Sequence, residues 1–94
     1  MRNIKIAEEI KKIIVQSIIT KVQCKTNCLI TIKHVTINRH LSLSKIYYSI
    51  IGGEKYIKNS IHLIKKNIPL IKKNISKQLK LNKIPKLKLI YQPI

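Results

Sequence analysis

Cys24, Cys28, His34 and His40 are the side chains whose types could hold a zinc ion, and Glu8 with Glu9 forms a pair of adjacent carboxylates. Spacing argues against both chemistries. Along a strand rising about 3.3 Å per residue, Cys28 and His34 stand roughly 20 Å apart, too far to share one tetrahedral ion. Neighbouring residues on a helix point to different sides, so Glu8 and Glu9 cannot act together as an acid/base pair. There is no aspartate, no phosphate-cradling loop and no nucleophile placed beside a base, so no enzyme activity, cofactor or metal is expected. Cys24 and Cys28, in a reducing compartment, read as two reduced thiols rather than a disulfide.

What remains is cationic chemistry. Twenty lysines and arginines face three acids in 94 residues, a formal charge of +17. Self-repulsion at that charge disfavours a compact monomer, and a polyanion would offset it, nucleic acid first and anionic membrane second. Isoleucine, lysine and asparagine dominate together, as they do under A+T-rich codon pressure, which accounts for part of the excess. Lys65, Lys66, Lys72, Lys73, Lys77 and Lys80, with Lys83 just beyond, lie mostly off the apolar stripe of a helical region and form a candidate phosphate-binding surface. Neutralising about six phosphates would give a slope of log affinity against log salt of roughly −4 to −5. Arg39 is expected at a turn, where its planar guanidinium can grip a phosphate in two places. Lys45 and Tyr47 are expected on an outer sheet face.

The elements that carry these residues follow from periodicity. From Ile4 to about Val22, Ile6, Ile10, Ile13, Ile14 and Ile18 fall on one helical face, with Asn3 as N-cap and Glu8 and Glu9 near the positive end of the helix. From Leu29 the pattern alternates: Ile30 and Ile32, then Val35 and Ile37 after a one-residue phase slip at Lys33 and His34, a strand with a bulge. Asn38, Arg39 and His40 make a turn. Ser44, Ile46, Tyr48 and Ile50 then alternate with Lys45, Tyr47 and Ser49 in a second strand, which completes a hairpin. Gly52 and Gly53 end it, and Glu54 opens a helix marked by Ile57, Ile61, Ile64 and Ile68. Pro69 lacks the donor a helix interior needs and pushes Ile68 from helical geometry, yet Ile71, Ile75 and Leu79 continue the period, so two helices meet at a kink. After Pro85, Leu87, Leu89 and Tyr91 alternate with Lys86, Lys88 and Ile90 as a closing strand.

Helix, strand, strand, helix, kink, helix, strand is the order of an α+β, type II KH-like domain: a three-stranded sheet with helices on one face. Residues 1–94 read as one such domain, small enough to bury only about 60–65% of its unfolded surface. Its core is aliphatic, since Phe and Trp are absent and four tyrosines are the only aromatics, which limits base stacking. No Gly-x-x-Gly clamp occurs, so recognition by shape and charge is favoured over sequence-specific reading of single strands.

Three stretches resemble the ribosome-binding factor A family of bacterial small-subunit assembly factors. They are I-A-E-E-I-K-K-I-I in the first helix, N-R-H-L-S-L-S-K-I-Y-Y-S in the hairpin, and P-L-I-K-K-N-I-S-K-Q-L-K-L-N-K-I-P-K-L near the end. The hairpin resembles the family's S-R-D-L-x-x-A-K-V-Y-V-S, with Arg39, Leu41, Lys45 and Tyr47 at matching positions. The last stretch resembles G-F-I-R-x-x-L-x-K-x-L-x-L-R-x-x-P-E-L, with Ile71, Lys72, Lys77, Leu79, Leu81, Pro85 and Leu87 in step. The resemblance implies a cytoplasmic, non-catalytic, RNA-binding monomer. It would bind the immature 30S ribosomal subunit, contact 16S rRNA and assist late rRNA processing in ribosome biogenesis.

Departures from the family pattern carry expectations too. The family's Ala-x-Gly at the kink is replaced by Asn67, Ile68 and Pro69, which exchanges a flexible hinge for a stiff one and removes any close backbone approach at a glycine. The aspartate after the hairpin arginine is His40. The D-P-R-L-G-like connection after the first helix is shortened to Cys24, Lys25, Thr26, Asn27 and Cys28. Members often carry a tail beyond the last strand, and no contribution from one is expected here. No apolar run reaches the roughly 18–20 residues that span a bilayer, and Glu8 and Glu9 fall where a signal peptide is apolar. The rival readings are a basic amphipathic protein lying on an anionic membrane along Ile57 to Leu81, a generic nucleic-acid binder, and a folded relic without function.

Overall fold

The computed structural model describes residues 2–22, 27–80 and 83–93. Helix α1 (Arg2–Lys21) leads to β1 (Leu29–Ile37), β2 (Leu43–Ile51), α2 (Glu54–Lys66), α3 (Ile68–Leu79) and β3 (Lys86–Tyr91). The sheet order is β1-β2-β3, with β1 antiparallel and β3 parallel to β2. The parallel pair requires a crossover, and α2 and α3 supply it.

Each helix buries the stripe its spacing implies. Ile10, Ile13, Ile14 and Ile18 of α1, Ile64 of α2 and Ile71 and Ile75 of α3 join Val35, Ile46, Tyr48, Ile50 and Leu87 of the sheet in one core. Each fully buried aliphatic side chain contributes about 1.5–3 kcal/mol by leaving water. Asn74 Nδ2 donates to Ser17 Oγ at 3.0 Å, tying α3 to α1, while Ser17 Oγ donates to the Ile13 carbonyl at 2.8 Å. Burial pushes the Tyr48 phenol above its ordinary pKa, and the neighbouring Tyr91 pushes it further.

The phase slip in β1 is a true register shift: Ile32 pairs with Tyr48, but His34 pairs with Tyr47 and Val35 with Ile46. Lys33 is the extra residue. Without the bulge, His34 would fall opposite Ile46 on the core face; the bulge turns His34 outward and returns Val35 and Ile37 to the core side.

Three local expectations are corrected. The first helix already begins at Arg2, so Asn3 lies within it instead of capping it, and its first turn holds no acid. Glu8 and Glu9 therefore sit beyond the turn where the macrodipole acts. The break before α3 falls at Asn67 (φ −93°, ψ 3°), and Ile68 is already the first residue of α3. The expected Cys24 thiol and the connection at residues 23–26 lie outside the described residues; the Cys28 side chain is buried.

Candidate nucleic-acid interface

The hairpin tip is built by one side chain. Asn38 Oδ1 accepts from the backbone N–H of Ser42 at 2.7 Å and of Leu43 at 3.0 Å, and Asn38 Nδ2 donates to Ser42 Oγ at 2.7 Å. Closing the loop this way forces Leu41 to φ 56°, a left-handed conformation unusual for leucine. Arg39 and His40 sit exposed at the top of the braced turn.

The helix lysines follow from the buried stripes. Ile71 and Ile75 face the core, so Lys73 and Lys77, four apart, look directly outward, and Lys72 flanks the stripe half-buried. Lys80 ends α3 in the left-handed region (φ 49°, ψ 41°), its N–H bonded to the Ser76 carbonyl at 3.2 Å, and is exposed. Lys65 and Lys66 occupy the last turn of α2, where cations complement the helix dipole. Lys83 is exposed beyond α3.

Asn67 serves both helices at the kink. Its N–H reaches the Leu63 and Ile64 carbonyls at 3.2 and 3.1 Å, its Nδ2 donates to the Leu63 carbonyl at 2.8 Å, and its carbonyl accepts from Ile71 N–H at 3.0 Å. Pro69 lies in the first turn of α3. A first-turn N–H has no partner within the helix, so the missing proline donor costs nothing there.

Lys45 and Tyr47 stand on the sheet face turned away from the core, because their neighbours Ser44, Ile46 and Tyr48 are buried on the other. The structure thus separates the candidates: α2 and α3 bury their stripes against the layer whose far side carries Lys45 and Tyr47. Sequence reasoning passed over cations that the fold adds to each group. Lys55 and Lys58 share the exposed side of α2 with Lys65 and Lys66, readable from the three-to-four spacing. Lys86 and Lys88 reach the open sheet face beside Lys45 because β3 runs parallel along β2. Their alternation with Leu87 and Leu89 was visible, but the edge they would join was not.

None of these cations has a carboxylate partner among the described residues. The chain's three acids are Glu8, Glu9 and Glu54, and the ion pair Lys12 Nζ to Glu9 Oε1, at 3.6 Å, lies on α1. An open groove of about 550 Å³ lies between α1 and β1, lined by Ile4, Ala7, Glu8 and Lys11 of the helix and His34, Val35, Thr36 and Ile37 of the strand. Among the described residues no three metal-ligating side chains gather.

Residues 2–93 match the family profile described as ribosome-binding factor A. The chain belongs to that family. A ribosome-binding factor A from Staphylococcus carnosus (strain TM300) is 30% identical over 91 residues, 97% of this chain and 79% of the relative. The crystal structure of ribosome-binding factor A from Thermus thermophilus superposes with a TM-score of 0.75 at 11% identity, over 95% of this chain and 94% of that one. A homology model of the Thermus thermophilus factor, fitted into a cryo-EM map of its complex with 30S, superposes at 0.71 with 12% identity, over 90% and 89% of the two chains. These likenesses establish the fold as the KH-like fold of ribosome-binding factors, a mixed α+β domain with three strands and three helices. Within that fold Arg39 lies on the exposed turn, and the break between α2 and α3 falls at Asn67, two residues before Pro69.

Proposed function

We propose that this chain is a non-catalytic assembly factor that binds the immature 30S subunit through 16S rRNA, as a monomer in the cytoplasm, and assists late 16S rRNA maturation. The observation that carries the reading is the outward lysine surface of α2 and α3, with no carboxylate partner among the described residues, in a family whose Thermus member has been fitted into a 30S complex. Lys65, Lys66, Lys72, Lys73, Lys77, Lys80 and Lys83 bind phosphates, Arg39 grips the backbone at the hairpin tip, and Lys45 and Tyr47 make accessory contacts. The Asn67, Ile68 and Pro69 kink holds the lysines of the two helices in a fixed relation. The membrane reading loses its apolar stripe, because Ile64, Ile71 and Ile75 are spent in the core and no helix among the described residues is long and apolar enough to cross a bilayer.

Sedimentation of the protein through a sucrose gradient of bacterial lysate tests this. Migration with free 30S, and not with 50S or assembled 70S, is the expected result. Equal spreading over all RNA-containing fractions would reduce the charge to a generic polyanion binder, and protein left at the top would refute the proposal.

A further inference from the structure

We infer that the open face of the sheet is a second RNA site, one that takes an unpaired base on Tyr47 and His34 and the adjoining phosphates on Lys45, Lys86 and Lys88. The inference rests on the reading of the chain as an RNA binder, but it concerns a different element and a different mode of contact from the helix lysines. Its starting point is the bulge at Lys33. By placing His34 opposite Tyr47 rather than Ile46, the bulge sets two rings side by side on the open face, with centroids 5.7 Å apart and planes inclined at 37°. Ile90 pairs with Tyr47 from the other side, so three flat or apolar side chains form one row across the sheet.

The other tyrosines are engaged elsewhere. Tyr48 and Tyr91 contact one another on the core side at 5.6 Å, and Lys55 Nζ lies over the Tyr56 ring at 5.1 Å. Tyr47 is the tyrosine offered on the open face. One row along, Lys45 is the direct partner of Lys88, and one further, Lys86 is paired with Leu43. Like charges directly opposite each other destabilise a sheet, and none of the chain's three acids is on these strands. A phosphate seated between Lys45 and Lys88 turns that repulsion into attraction. Residues two apart on a strand advance about 6.6 Å, so a base on the aromatic row leaves its backbone over the lysine row. Arg39 continues the positive surface at the hairpin tip, next to the lysine end of the strands. A duplex hides the faces of its bases, so this combination of ring and cation suits single-stranded RNA.

The test is fluorescence anisotropy of the intact chain with a labelled eight-nucleotide oligoadenylate. Tyr47→Ala should weaken binding roughly tenfold with the salt dependence unchanged, whereas Tyr47→Phe should stay within about twofold, because stacking needs the ring and not the hydroxyl. Lys45→Ala and Lys88→Ala should each lower the magnitude of the salt slope by about 0.7, the value for one phosphate of a single strand. Equal binding by wild type and Tyr47→Ala, or equal loss in the Phe and Ala variants, would overturn the inference. So would displacement by polyglutamate as effective as by unlabelled oligonucleotide, which would mark an acidic-polypeptide surface. Should circular dichroism show Tyr47→Ala unfolded, Lys88→Glu reads the same face from an exposed position, and undiminished binding by that variant would be equally adverse. Sedimentation with 30S reads the family function separately: a wild-type protein that misses 30S yet shows Tyr47-dependent oligonucleotide binding refutes the former proposal and leaves this one standing.

Discussion

The two faces of the sheet are made from alternate residues of the same strands, yet they obey different rules. On the core face, Ser44, Ile46, Tyr48 and Ile50 are almost fully covered, and the buried serine hydroxyl is satisfied: Ser44 Oγ donates to the Thr36 carbonyl at 2.9 Å. On the open face, Leu29 and Ile51 pair at one end and remain 56% and 51% exposed, Tyr47 and His34 occupy the middle, and lysines hold the other end. Packing selects the first set, since every methylene withdrawn from water contributes about 0.8 kcal/mol. In the second set the His34 and Tyr47 rings touch and Ser49 is buried with its hydroxyl on the Gln92 carbonyl, but two lysines are placed against each other with no acid on these strands to offset them. An anion seated between them would relieve that repulsion, as the proposed open-face RNA site requires.

The largest expected effect separates the faces by stability. Ile46→Ala should destabilise the chain by about 2–5 kcal/mol in urea unfolding, whereas Ile51→Ala, on the open face, should change it by no more than about 0.5 kcal/mol. Equal losses would break the comparison. Next comes the end of the hairpin, where the faces meet and a Cβ added at Gly52 would lie 2.5 Å from Cys28 Sγ. Gly52→Ala should cost about 1–3 kcal/mol through overpacking, and combining it with Cys28→Ala should recover part of that loss in the same measurement.

At the tip, Asn38→Ala removes the acceptor of two backbone N–H groups and should cost about 1–2 kcal/mol. It should also weaken RNA binding through Arg39 without altering Arg39 itself. The sharpest test is the smallest in energy: Lys45→Glu replaces a repulsive pair with an attractive one across from Lys88 and should stabilise the fold by about 0.2–1 kcal/mol, while anisotropy shows weaker RNA binding. Loss of both stability and binding would mean that the lysine pair belongs to the architecture and not to a partner.

Local order was legible where one short-range period dominates. The isoleucine spacing of α1, the alternation in both hairpin strands and even the bulge at Lys33 could be read directly, because each reflects a single side chain choosing between two faces. The kink was legible to within two residues. Proline marks the neighbourhood of a break, but Asn67 takes it, since its side chain can close the end of α2 and Pro69 is harmless in the first turn of α3. The start of α1 was misplaced for the complementary reason: a cap is set by backbone geometry, and Asn3 suits several positions near a terminus.

The candidate site divides along the same line. Residue types alone determined that the chain is strongly cationic, and three motifs pointed to the family its profile match shows. Only the tertiary structure decided that β3 runs parallel beside β2 and so brings Lys86 and Lys88 to Lys45, and that the helix lysines and the sheet lysines face different ways. The physical reason is that strand pairing is made by backbone N–H and C=O groups common to every residue. An alternating sequence therefore fixes which side chains share a face, but the partner edge is chosen by how α2 and α3 cross over and bury Ile64, Ile71 and Ile75.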